Sequence, residues 1–117
     1  MKDSIYRLNL RQLGAALREG SLSAIAVLEH YLDRIARLDG ELNCFVHVDA
    51  EGARALAGLA DERFATGKPL GPLDGIPVAI KDNLLVAGMP CVWGTKLYRD
   101  YIAAEDELPV RLLRQAG

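Results

Sequence analysis

Residues Ile76–Ile80, Ile-Pro-Val-Ala-Ile, constrain this chain more than any other stretch. A run with no polar side chain, opened by Gly75 and closed by Lys81, cannot alternate an inner face with an outer one. It predicts a strand buried on both sides, and therefore a sheet covered on both faces. Gly75 suits a tight turn at the strand entry, and Pro77 fixes φ there. The chain then places an ammonium group, that of Lys81, where the strand emerges. What that group does is the functional question.

The first half reads as helices. Asn9 can cap a short helix carrying Leu10, Leu13 and Leu17, which Gly20 ends. Ser23 starts a second, with Ile25, Leu28, Leu32 and Ile35 as its core stripe, widened by Tyr31 and Leu38. His30 falls with Glu29, Asp33, Arg34 and Arg37 on the other side, as a solvated residue. Asn43–Val48 reads as a strand, with His47 facing away from Val46 and Val48 and given no chemical role. Asp49 can cap a third helix through Ala53, Leu56, Ala57, Ala60 and Phe64, stopped by Gly67. A Pro/Gly loop leads into Ile76–Ile80. After Lys81, Leu-Leu-Val-Ala-Gly (84–88) reads as a further strand, followed by the loop Met-Pro-Cys-Val-Trp-Gly-Thr. Asp106 then caps a last helix, with Pro109 tolerated in its first turn.

These elements define one domain: a helical part over 1–42, a strand and helix over 43–67, and a lysine-bearing strand region over 68–117. The expected fold class is α/β, the N-terminal portion of a large α/β/α sandwich whose mixed sheet is incomplete here. Gly117 reads as a helix C-cap after which an α/β pattern enters its next strand, so the expected layout stops in mid-fold.

With 117 residues, 50% of them hydrophobic and 26% charged, the chain suits one modest globular domain. A net charge of -2 gives no electrostatic reason to expect nucleic acid or an anionic membrane as partner. No apolar run approaches the ~20 residues that span a bilayer, and the N-terminus is too polar for a signal peptide. Cys44 and Cys91 lie far apart, with no C-x-x-C and no His at metal spacing, and read as reduced packing thiols of a cytoplasmic protein. No metal or cofactor is expected. An incomplete sheet would leave an unpaired edge that favours self-association.

Two roles are open to Lys81 on its position alone. It can be a strand-end lysine that carries its charge into water. It can also be a base, held neutral by the apolar surroundings of Val78, Ala79 and Ile80, because burial disfavours an ammonium ion. Asp82 and Asn83 are placed to hydrogen-bond around it, although a carboxylate close to the amine favours the charged form. A lysine base needs a hydroxyl to deprotonate. The serines are Ser4, Ser21 and Ser23, and none sits in a Gly-rich turn that exposes a nucleophile. Neither His lies in a Ser/His/Asp or Cys/His arrangement.

The string Gly-Pro-Leu-Asp-Gly-Ile-Pro-Val-Ala-Ile-Lys-Asp-Asn-Leu-Leu-Val-Ala-Gly-Met-Pro (71–90) resembles the segment around the catalytic lysine of the amidase signature family. Residues 21–51 are similar to that family's N-terminal helices and first strand, and 93–117 to the approach to its next strand. The resemblance implies a Ser–cis-Ser–Lys triad that hydrolyses or transfers small carboxylic amides without a cofactor. It casts Lys81 as the acceptor of a proton relayed by the bridging serine, and Gly75, Pro77, Asp82 and Asn83 as residues that shape the site. The Gly/Ser-rich loop carrying both serines and the oxyanion hole is not present in the sequence. The reading is therefore an amidase fragment that is inactive alone. Its first rival is the A subunit of a glutamine-dependent aminoacyl-tRNA amidotransferase, which would have protein partners and an RNA. Its second is a non-catalytic interaction module that needs complementation by another chain. Trp93, in the loop that would wall the substrate region, is expected in the core more than against a ligand.

Overall fold

The computed structural model describes residues 2–117, with side chains from Ile5 onward. Its α-helices are α1 (Leu10–Arg18), α2 (Ala24–Leu42), α3 (Ala50–Ala65) and α4 (Leu108–Gln115), with 3₁₀ turns at Lys2–Arg7 and Lys96–Tyr98. The first three begin where local chemistry dictates. The Asn9 side chain accepts the Gln12 N–H at 2.9 Å while Gln12 accepts the Asn9 N–H at 3.0 Å, a reciprocal capping box. Ser23 Oγ accepts from the Ala26 N–H at 3.0 Å, and Asp49 Oδ1 from the Gly52 N–H at 3.0 Å. Each cap satisfies an N–H that has no partner within its helix.

α2 and α3 pack together in antiparallel fashion. The Asp61 carboxylate of α3 accepts the N–H groups of Ala24 and Ile25 at 2.6 and 3.2 Å, placing negative charge at the positive end of α2. Further along, Arg54 grips Glu29 with two bonds of 2.5 and 3.1 Å. That exposed pair adds little energy. The cohesion comes from Ile5, Leu13, Leu17, Ala24, Val27, Leu28, Ala57 and Ala60, which form one buried cluster. Each large aliphatic side chain removed from water there contributes about 1.5–3 kcal/mol. Of the expected α2 stripe, Leu28 is buried while Ile25, Leu32 and Ile35 are half-buried. Ala24 and Val27 take the deepest positions, because small residues let α3 come close.

His30 is not simply solvated. The Lys2–Arg7 turn folds over α2, and His30 stacks on Tyr6 at 6.1 Å and meets the edge of Tyr31 at 5.4 Å. Its Nε2 is buried, with no hydrogen-bond partner among the described residues.

The expected α/β architecture with a mixed sheet does not form. Among the described residues there is no sheet, and Pro90 and Ile102 make an isolated antiparallel bridge. Residues 43–48 and 84–88 run as loop and turn, and Ile76–Ile80 is neither strand nor helix. A strand exists through hydrogen bonds to a neighbour about 4.8 Å away, and no described segment pairs with these runs. Among the described residues the backbone bond from Ile76–Ile80 is that of the Ile76 N–H to the Leu73 carbonyl, at 3.1 Å. Apolar side chains alone cannot bury such a segment, so Val78 stays 56% exposed where two-sided burial was expected. Without a sheet among these residues there is also no sheet edge through which copies of the chain could associate.

α4 starts one residue later than its expected cap. Glu107 occupies the N-cap position without a side-chain bond, and Pro109 lies in the first turn. Asp106 turns back instead, accepting from the Ala87 N–H at 2.8 Å and from Arg114 Nε at 2.7 Å.

Candidate active site

Lys81 stands exposed at the end of Ile76–Ile80. Its carbonyl accepts the N–H groups of Asn83 and Leu84 at 2.7 and 3.1 Å, so the backbone turns sharply behind it. Among the described residues no carboxylate pairs with its side chain. Asp82, its neighbour, is directed elsewhere and accepts the Val92 N–H at 2.9 Å. Glu107 likewise accepts the Leu85 N–H at 2.8 Å and returns its own N–H to the Leu85 carbonyl at 3.0 Å. With Asp106 on the Ala87 N–H, three carboxylates hold residues 85–92 by their backbone N–H groups. The Ala87 N–H keeps the Asp106 carboxyl below the usual carboxylate range, helped by Arg114. Where a sheet would supply carbonyl acceptors, side chains do so here.

The entry to the segment is built around Asp74, which is 1% exposed. Arg63 of α3 donates to both of its oxygens, Nε to Oδ2 at 2.8 Å and Nη2 to Oδ1 at 2.6 Å, and the Leu70 N–H donates to Oδ2 at 2.8 Å. The Arg63 hydrogen bonds hold this carboxyl below its ordinary range despite the opposing effect of burial. Gly75 follows at φ +77°, and a Cβ there would come within 3.1 Å of both Ala24 and Phe64. Glycine is needed at 75 for its backbone angle and for its close seat on α2 and α3. The turn closes with the Gly75 N–H bonded to the Gly117 carbonyl at 3.1 Å.

Beyond the carboxylate-held loop, Trp93 is not a core residue. It is 43% exposed, adopts φ 49°, and packs on Tyr98 and Tyr101 at centroid distances of 5.1 and 5.6 Å. The three rings pack against one another and leave no slot between them for a ligand ring or cation. Cys91 is buried, which pushes its thiol up, and Cys44 is exposed. Both thiols are free. No helix among the described residues is long and apolar enough to cross a membrane.

Neither described serine is placed beside Lys81 as a nucleophile. Ser21 donates to the Ala16 carbonyl at 3.2 Å, and Ser23 caps α2. The side chain of Ser4 lies outside the described residues. The structure thus holds the expected lysine on an ordered support, with an apolar but open surround rather than a buried one. The Arg63–Asp74 pair was missed by sequence reasoning. Its one signal was an acidic residue alone in the apolar loop Pro72–Ile76, which requires a cation if it is buried.

The family profile described as Amidase matches residues 26–117, and the chain belongs to that family. The A chain of the glutamyl-tRNA(Gln) amidotransferase of Salinispora tropica is 43% identical over 106 residues, 91% of this chain and 22% of the relative. The protein of the same name from Acidothermus cellulolyticus is 39% identical over 117 residues, 100% of this chain and 23% of the relative. One similar solved chain comes from a vestigial protein complex described as revealing the evolutionary origins of an s-triazine catabolic enzyme. It matches with a TM-score of 0.89 at 33% identity, over 94% of this chain and 24% of that one. PAM12A matches with a TM-score of 0.87 at 32% identity, over 93% of this chain and 22% of that one. The chain therefore spans less than a quarter of the length of these relatives.

Proposed function

We propose that this chain carries the lysine of a Ser–cis-Ser–Lys amidase, with Lys81 as the general base. Both serines then lie on a part of the fold not represented among these residues. A serine hydroxyl attacks the amide carbonyl, forming an ester bond to the acyl group as the C–N bond breaks. Its proton passes through the bridging serine to Lys81 and on to the departing amine. Water resolves the acyl-enzyme in hydrolysis, and a second amine does so in transfer. The observation that carries the reading is the state of Lys81. Its amine pairs with no carboxylate among the described residues, while the acidic side chains that follow it, Asp82, Asp106 and Glu107, are bound to backbone N–H groups. A close carboxylate would favour the charged amine and oppose a neutral base. Gly75, Pro77 and Asn83 then serve as backbone-shaping residues, and the two free thiols favour a reducing, cytoplasmic setting.

The test is amide hydrolysis by a protein uniting residues 1–117 with the serine-bearing remainder of the family fold. Lys81→Met keeps the side-chain length and removes the proton acceptor. It should lower kcat by about 10³-fold or more while the protein stays folded. Retention of most of the wild-type rate would make Lys81 a surface lysine only. Residues 1–117 alone should not turn over amides.

The curated relatives favour a second form of the same chemistry. In it, the ammonia freed as the acyl-enzyme forms passes to a partner-bound glutamyl-tRNA instead of being lost to water. Under that form glutamine is hydrolysed, and the rate rises when the partner proteins and the RNA are added.

A further inference from the structure

The segment that presents Lys81 has almost no hydrogen bonds of its own, so its placement is set at its two ends. At the far end Asp82 is tied to the Val92 N–H. At the near end Asp74 fixes the turn, and its surroundings are unusually specific. Both carboxylate oxygens are used, by three donors, in a site with no access to water. Two of those donors belong to Arg63 on α3, so the turn is fastened directly to the helical core that also seats Gly75. The Ile76 N–H bond to Leu73 then closes the turn around Asp74 and sets the direction in which Ile76–Lys81 departs.

We propose that Asp74, gripped by Arg63, is a positioning residue for Lys81. It transmits the rigidity of α2 and α3 to the catalytic amine, and its effect on the reaction runs through that amine alone. The inference rests on Lys81 being the base. The planar guanidinium matches the carboxylate at two points and so fixes orientation as well as distance, which a lysine at 63 could not do. Asp74→Asn keeps the shape of the side chain but turns an N–H₂ group toward a donor, either Arg63 or the Leu70 N–H. The turn must then shift. A displacement of about 1 Å in a catalytic group is enough to cost 10²-fold in rate.

The experiment uses the active protein defined above, with Asp74→Asn, Arg63→Lys and each of these combined with Lys81→Met. Lys81→Met alone reports on the underlying reading, since a variant that keeps its rate removes Lys81 from the mechanism whatever Asp74 does. Given that loss, Asp74→Asn should lower kcat by about 10- to 100-fold with KM within about twofold. Arg63→Lys, which keeps the charge but loses one of the two contacts, should fall between wild type and Asp74→Asn. In the Lys81→Met background neither change should reduce the residual rate further, because the group they position is gone. If Asp74→Asn does not fold, Arg63→Lys carries the same comparison. Unchanged kcat, a loss confined to KM, or an equal further loss in the Lys81→Met background would overturn the proposal.

Discussion

The helical region, residues 10–65, and the lysine-bearing region, residues 68–117, are held by different forces. In the first, each backbone N–H finds its carbonyl four residues away, and side chains are free to build a core of Leu17, Val27, Leu28 and Ala60. In the second, backbone N–H groups lack regular partners and draw on side-chain carboxylates, those of Asp74, Asp82, Asp106 and Glu107. Its apolar residues stay largely at the surface, with Leu70, Val78, Leu97 and Ile102 all more than half exposed. The lesson is that apolar sequence builds a core only where the backbone is satisfied first. The second region is ordered by charge-assisted bonds that leave its reactive lysine, and much apolar surface, open.

Substitutions on the two sides of this divide should rank accordingly. Leu17→Ala removes a side chain only 1% exposed and should cost about 2–5 kcal/mol in urea unfolding of the chain. A cost below about 1 kcal/mol would mean that the helical region has no tight core. Asp74→Ala should cost about 2–3 kcal/mol, because Arg63, itself 27% exposed, and the Leu70 N–H lose their acceptor. The contribution of Asp74 also has a pH signature. Its folded carboxyl is held below the 3.8 of an ordinary aspartate, so the stabilisation is complete above that value and disappears as pH falls through the lower folded one. In acid unfolding followed by circular dichroism, the wild type should therefore lose more stability across this window than Asp74→Ala, and the two should converge at low pH. A gap between them that stays constant down to about pH 2 would contradict the ion pair. Ser23→Ala should cost about 1 kcal/mol through the lost α2 cap. Val78→Ala should change stability by less than about 0.5 kcal/mol, since the side chain is 56% exposed.

The same divide explains what could be read from the sequence. The caps Asn9, Ser23 and Asp49 were legible because a cap involves residues two or three positions apart. So was family membership, which rests on the run around Lys81. The absence of strands was not legible: Ile76–Ile80 has strand composition, but pairing depends on a second segment, and none among the described residues supplies it. Asp106 reads as a cap in sequence, yet its carboxylate is drawn across the loop to the Ala87 N–H. The Arg63–Asp74 pair joins residues 11 apart through a loop whose path the sequence does not specify. His30 sat on the polar side of α2 by periodicity, and only the fold-back of the N-terminal turn covers it.

At the centre of this account, Lys81 is carried by a segment fixed at its ends and unpaired along its length. Amide hydrogen exchange on residues 1–117 tests this directly, residue by residue. The amides of Leu28, Tyr31 and Leu32 in α2 should exchange at least about a hundredfold more slowly than those of Val78, Ala79 and Ile80, which have no backbone acceptor among the described residues. Protection of Val78–Ile80 equal to that of α2 would show these residues paired after all, and would contradict the account.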